Sequence, residues 1–375
     1  MLTRREFLAM SAVAAAAAGR SMAAGSQPHW PKYRHTMSID GECGTGPFFL
    51  PDDDPTIPAE LQAIKDSGLS GILLSIGPKG RFWLNDAQFE QCKTTIAKYK
   101  ATIEAHPKHL LLINEANDLQ RALKDRRLGI IMRFQGSEPI GEDLDRVSIF
   151  RDLGVRVIQL THNRRNIVGD GATEPGNAGL SKYGHELVER LNSEKVIVDL
   201  AHGSQRTIAE GIRASKAPVL ISHTGCRALA DLPRNTTDAE LRAMAEKGGV
   251  AGIIFWPYLR TDTQPMAIDV IQHIEHAIDV CGEDHVGIGT DGNLAPIERT
   301  PKFEKENRDW VADSMKYGIF SPGRPPDLYA FIPDLNSADR FDILAAKLSA
   351  RGFSDTRIAK ILGGNFARVM TEVWG

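Results

Sequence analysis

The chain has 375 residues, 42% of them hydrophobic and 25% charged, with a formal net charge of -3. That balance fits a soluble globular protein whose core needs no disulfide or metal staples, and the absence of a basic excess argues against nucleic acid as a partner. Four cysteines (Cys43, Cys92, Cys226 and Cys281) are too few and too scattered for a disulfide scaffold or a zinc ribbon.

The first residues, MLTRREFLAMSAVAAAAAG, join a twin arginine (Arg4, Arg5) to an apolar Ala-rich run from Leu8 to Ala18. A small-residue site follows at Ser21-Met22-Ala23-Ala24. Charged start, short apolar stretch and small-residue end read as a signal peptide over 1–24. The arginine pair points to the twin-arginine export machinery. The expected location is therefore the periplasm or outside the cell, reached as a folded protein. The apolar run is too short to span a bilayer, and no other segment approaches the ~20 apolar residues a span requires. The mature part is expected to carry no membrane span.

From residue 25 onward, apolar β-branched runs alternate with helical patterns. Strands are predicted at 37–40, 70–77, 108–113, 128–134, 155–162, 195–202, 217–223, 249–256 and 285–291. Helices are predicted at 142–153, 181–193, 204–215, 238–247 and 266–280, with two more near 337–350 and 354–371. Short buried strands separated by helices imply a parallel sheet. The number of units predicts α/β architecture: a single (β/α)8 TIM barrel over 25–375. Which run between 70 and 113 is a barrel strand stays open. Residues 295–335 are Pro-rich and read as a loop over the barrel mouth or packed on its side.

Polar residues recur at the strand ends. VRVIQLTH ends in His162, KVIVDLAH in His202, APVLISH in His223 and HVGIGTD in Asp291. The first strand runs into Asp40-Gly41-Glu42, and LGIIMRF runs into Gln135. In a parallel barrel these ends share one rim, where such barrels keep their chemistry. Imidazoles with a carboxylate suit zinc or a similar divalent ion, with Asp291 placed to move a proton. His273 and His276, on a helical pattern, read as surface residues.

These segments resemble the membrane dipeptidase (renal dipeptidase) family, peptidase family M19, among the amidohydrolase-type barrels. The resemblance rests on LTHN at 160–163, DLAH at 199–202, ISHTGCRAL at 221–229 with PRN at 233–235, GIGTD at 287–291 and ILGGNFARV at 361–369. It implies a metal-dependent hydrolase acting on dipeptides, with two zinc ions at the rim and a homodimeric assembly. His202 and His223 match the histidines of the second metal, and Asp291 matches the proton-transferring aspartate. His162 and Arg234 match the pair that contacts the dipeptide, Arg234 being suited to a substrate carboxylate. Trp256 stands where the family has an aromatic contact, usually Tyr. Three metal positions depart from the pattern. Glu42 replaces the histidine and Gly44 the aspartate of the first metal, and Gln135 replaces the bridging glutamate.

Three readings follow from these departures. One is a one-metal hydrolase of a small dipeptide-like or N-acyl amide, with zinc or a similar ion at His202 and His223 and Gln135 or Glu42 completing the shell. Another is metal-free lyase or isomerase chemistry by Glu42, His202, His223 and Asp291. The last is a periplasmic binding pseudoenzyme. Cys43 reads as a buried small residue, with a thiolate ligand or a Cys43–Cys226 disulfide left open.

Overall fold

The structure is a computed structural model that describes residues 28–77, 87–316 and 325–375. The signal-peptide expectation for 1–24 lies outside the described residues. Eight parallel strands close on themselves: β1 (Ile39–Asp40), β2 (Gly71–Ser75), β3 (Leu128–Phe134), β4 (Val155–Gln159), β5 (Ile197–Asp199), β6 (Leu220–Thr224), β7 (Val250–Ile253) and β8 (Val286–Ile288). Asp40 of β1 pairs with Ile288 of β8 and so completes the ring. The expected (β/α)8 TIM barrel is therefore the observed fold. The ambiguity between 70 and 113 resolves physically. Gly71–Ser75 pairs with both β1 and β3, whereas Leu110–Leu112 pairs only along the first residues of β3, before β4 joins it at Met132.

The barrel strands are buried almost throughout. That is why they read as continuous apolar runs and not as alternating ones. Helices follow at once because their caps are supplied locally. Ser181 Oγ accepts from the Gly184 N–H ahead of helix Lys182–Ser193, and Ser204 Oγ accepts from the Thr207 N–H ahead of helix Gln205–Ala214. Thr237 and Glu240 form a capping box ahead of helix Asp238–Glu246. Each satisfies donors that the first helical turn leaves open. Three further helices, Ile57–Ser67, Ala87–Ala105 and Ala116–Asp125, fill the first third of the chain.

The segment 295–335 is not all loop. Its described part contains helix Pro301–Lys316, which starts at a proline, the residue best tolerated at a first helical position, with Thr300 Oγ1 accepting from the Phe303 N–H. The GGNF segment near the C-terminus closes the end of the barrel away from the rim. Asn365 Nδ2 donates to the Glu283 and Val286 carbonyls at 2.8 Å each. Phe366 lies where side chains at Gly41 and Gly287 would otherwise sit. No helix among the described residues is long and apolar enough to cross a membrane.

Candidate active site

The strand ends bring most of the expected residues together. His202 follows β5, His223 lies in β6, Gln135 follows β3, and Asp291 follows β8. Two irregularities in the sheet fall at this rim. The register of β6 against β7 shifts between Ile221 and Thr224, which turns His223, and that of β3 against β4 shifts between Met132 and Arg133. Such bulges re-aim side chains beside active sites. His202 and Asp291 both hold left-handed backbone, with φ of 64° and 54°. Residues other than glycine adopt that conformation at some expense, and sites of function are where it gathers.

The two histidines face each other, Nε2 to Nε2, at 2.8 Å. Their opposite ring atoms are tied down. His202 Nδ1 meets Asn163 Oδ1 at 2.6 Å; an amide oxygen only accepts, so this nitrogen carries the proton. His223 Nδ1 meets Ser222 Oγ at 2.8 Å. Ser222 gives its own proton to Asp199 Oδ2 at 2.6 Å, so it accepts from His223. Both Nε2 atoms therefore present lone pairs to the same point. Gln135 Nε2 stands 3.2 Å from His223 Nε2 and donates to it. The His162 ring stacks on His202, with centroids 4.1 Å apart.

Glu42 has a different environment. Its two carboxylate oxygens take the Ser75 hydroxyl at 2.9 Å each, and Oε2 lies 3.0 Å from Arg133 Nη1. Arg133 is fully buried inside the barrel. Its Nη2 lies 2.6 Å from Asp199 Oδ2 and 2.8 Å from Gln159 Oε1, and its Nη1 donates to Ser222 Oγ at 2.9 Å and to the Gly41 carbonyl at 3.2 Å. The Asp291 N–H donates to the Glu42 carbonyl at 2.7 Å. Asp40 is bonded by the Thr290 hydroxyl and N–H at 2.6 and 2.8 Å; its burial nevertheless pushes its carboxyl up to about 7.

On the substrate side, Arg234 is buried, and its Nη2 donates to the His223 carbonyl at 2.8 Å. Burial pulls its guanidinium below the ordinary value, with Tyr258 and Asp291 opposing the shift. Its Nε has no hydrogen-bond partner among the described residues. Trp256 Nε1 donates to the Asp291 carbonyl at 2.6 Å, stacks on Tyr258, and meets Trp310 edge-on at 5.6 Å. Helix Pro301–Lys316 thus adds an aromatic wall that the expected loop did not contain.

Other expectations are corrected. His273 is buried, not on the surface. It accepts from the Cys226 N–H at 2.9 Å and donates to the Leu259 carbonyl at 3.0 Å, and burial lowers it to about 4. His276 is half-buried and pairs with Asp238 at 2.8 Å. All four cysteines are free and buried, so Cys43 and Cys226 are not joined. Burial pushes the Cys43 thiol well above its ordinary value, which disfavours a thiolate there. The residues missed from the sequence are Arg133, Asp199, Asn163, Ser222 and Ser75. A charged residue inside the apolar run LGIIMRF was the signal for the first of them.

The residues present do not fit the two-zinc centre that the resemblance implied. Glu42 is paired with Arg133. A side chain at Gly44 would meet Phe49 Cε2 at 2.7 Å and Asn293 Oδ1 at 2.9 Å. Among the described residues, no three or more His, Cys, Asp or Glu side chains gather as a metal-holding group. What remains of the metal positions is the imidazole pair of His202 and His223, a residue type that holds divalent ions.

Known proteins agree with this architecture. A dipeptidase from Clonostachys rogersoniana, verJ, is 28% identical over 77% of this chain and 67% of its own length. The chain spans 57–67% of the length of the first curated relatives it matches. A solved amidohydrolase from Pseudomonas aeruginosa superposes with a TM-score of 0.75 at 25% identity, covering 92% of this chain and 98% of that one. A metallo peptidase from Rhodobacter sphaeroides, solved with a phosphinate mimic of the dipeptide L-Ala-D-Ala, superposes with a TM-score of 0.71 at 21% identity, covering 90% and 100%. The family described as membrane dipeptidase (peptidase family M19) matches residues 45–304, and the chain belongs to that family.

Proposed function

We propose that the protein hydrolyses a small amide bearing a free carboxylate, dipeptide-like or N-acyl, with the help of one divalent ion held by His202 and His223. The observation that carries this reading is the 2.8 Å approach of the two Nε2 atoms, each with its Nδ1 proton committed to an acceptor. A divalent cation between the two Nε2 atoms would take both lone pairs, with the amide of Gln135 standing beside His223. A divalent ion there, zinc by family habit, supplies Lewis-acid polarisation of the amide carbonyl and a water of lowered pKa. Asp291, on the same rim, would hold the proton and pass it to the leaving amine. Its left-handed backbone and the hydrogen bond its N–H donates to the Glu42 carbonyl hold it in place. Arg234, with His162, takes the substrate carboxylate, and Trp256 with Trp310 walls the side-chain space. The dipeptidase name carried by a relative supports the substrate class.

Elemental analysis of protein purified without chelator tests this reading. About one zinc, manganese or iron per chain is expected, together with turnover of carboxylate-bearing amides and little turnover of ordinary L,L-dipeptides. No ion even after zinc is added would sink it and favour metal-free chemistry or a binding role. Export of the folded protein to the periplasm is part of the same proposal, supported by Arg4 and Arg5. Retention inside the cell of an Arg4→Lys, Arg5→Lys variant is the expected result.

A further inference from the structure

We infer that the Arg133 guanidinium is a built-in replacement for the first metal ion of this family. The inference rests on the one-ion reading above and explains why a second ion is not needed. Glu42 stands at the position of the first-metal histidine, and Arg133 Nη1 lies 3.0 Å from its carboxylate. The other terminal nitrogen lies 2.6 Å from Asp199. One buried cation thus bridges two carboxylates, as a divalent ion would. Its remaining contacts are oxygens: the Gly41 carbonyl, Ser222 Oγ and Gln159 Oε1. Such an oxygen-rich set suits a hard cation or a guanidinium equally well.

The replacement also reaches the half of the site that keeps its ligands. Ser222 Oγ accepts from Arg133 Nη1 at 2.9 Å and from His223 Nδ1 at 2.8 Å, and donates to Asp199 at 2.6 Å. Arg133 therefore helps set the tautomer that turns the His223 Nε2 lone pair inward, and it is a positioning residue in that sense. Unlike a bound ion, its charge does not dissociate, because a guanidinium keeps its proton in proteins. A second divalent ion beside it would meet a like charge. A carboxylate returning at Gly44 would have to displace the Phe49 ring and the Asn293 side chain.

The test counts ions per chain in the full-length protein titrated with Mn2+. Wild type and Arg133→Lys are expected to hold the same number. Arg133→Ala, whose Glu42 and Asp199 lose their cation, is expected to hold one more. A folded Arg133→Ala, judged by near-ultraviolet circular dichroism, that holds no more ions than wild type would overturn the inference. If Arg133→Ala does not fold at any Mn2+ concentration, electron paramagnetic resonance of the Mn2+-saturated wild type decides. The spectrum of an isolated ion supports the replacement, and a spin-coupled pair overturns it. The two readings fail separately. A wild type that holds no ion, beside an Arg133→Ala that holds one, would leave the replacement standing and remove the ion from the histidine pair.

Discussion

On one side of the site, His202 and His223 turn their Nε2 atoms toward each other at 2.8 Å; on the other, Glu42 turns its carboxylate onto Arg133 at 3.0 Å. Both sides are buried, and both are organised through Ser222 and Asp199. They differ in where the positive charge comes from. On the proposed function, the histidine side takes its cation from solution. The glutamate side carries its cation in the sequence. The difference teaches that a metal position can be lost without leaving a hole, provided that a fixed charge replaces the ion and the orphaned carboxylates keep a partner.

That contrast can be broken in several ways. The largest effect is expected from Arg133→Met, which strands Glu42 and Asp199. A buried pair broken from one side loses about 3–5 kcal/mol, read as a drop in thermal unfolding midpoint with or without metal. His223→Ala should leave the fold intact and weaken ion binding by more than the roughly 10–100-fold that losing an outer partner costs; isothermal titration measures it, and unchanged metal content would refute the histidine side. Chelation should destabilise the protein by about 2.7 kcal/mol relative to a sample with the ion at a hundred times its dissociation constant. The Glu42–Arg133 pair gives no such dependence, so a chelator effect that persists in the folded His223→Ala variant would contradict the division. Asn163→Ala frees the His202 tautomer and should cost roughly 10–100-fold in ion affinity. The smallest effect is expected from Gln135→Glu, which returns a charged ligand beside His223 and should raise affinity about tenfold, or about 1.4 kcal/mol.

Much of this was legible in the sequence because strand ends in a parallel barrel share a rim. Placing His202, His223 and Gln135 after apolar runs was enough to bring them into contact, and Asp291 to the end of the last strand. The fold followed from the same alternation. What could not be read was the partner of Glu42. Arg133 lies within LGIIMRF, a run whose hydrophobicity is what identifies it as a strand, and a side chain pointing into the barrel looks no different in sequence from one pointing out. His273 was misread for a related reason. Its helix Ala267–Cys281 is buried along the face that carries it, and spacing alone does not say which face meets the core. Helix Pro301–Lys316 was missed because its mean composition is polar and its neighbours are proline-rich, although its buried Phe303 and Val311 anchor it.

The crowding at Gly44 has a historical consequence. A single change back to aspartate would press a side chain against Phe49 and Asn293, which would have to shift to admit it. Since Glu42 is paired with Arg133 and Gln135 stands beside His223, restoring a two-ion centre takes changes at several of these positions together, and aspartate at residue 44 alone does not bring it back.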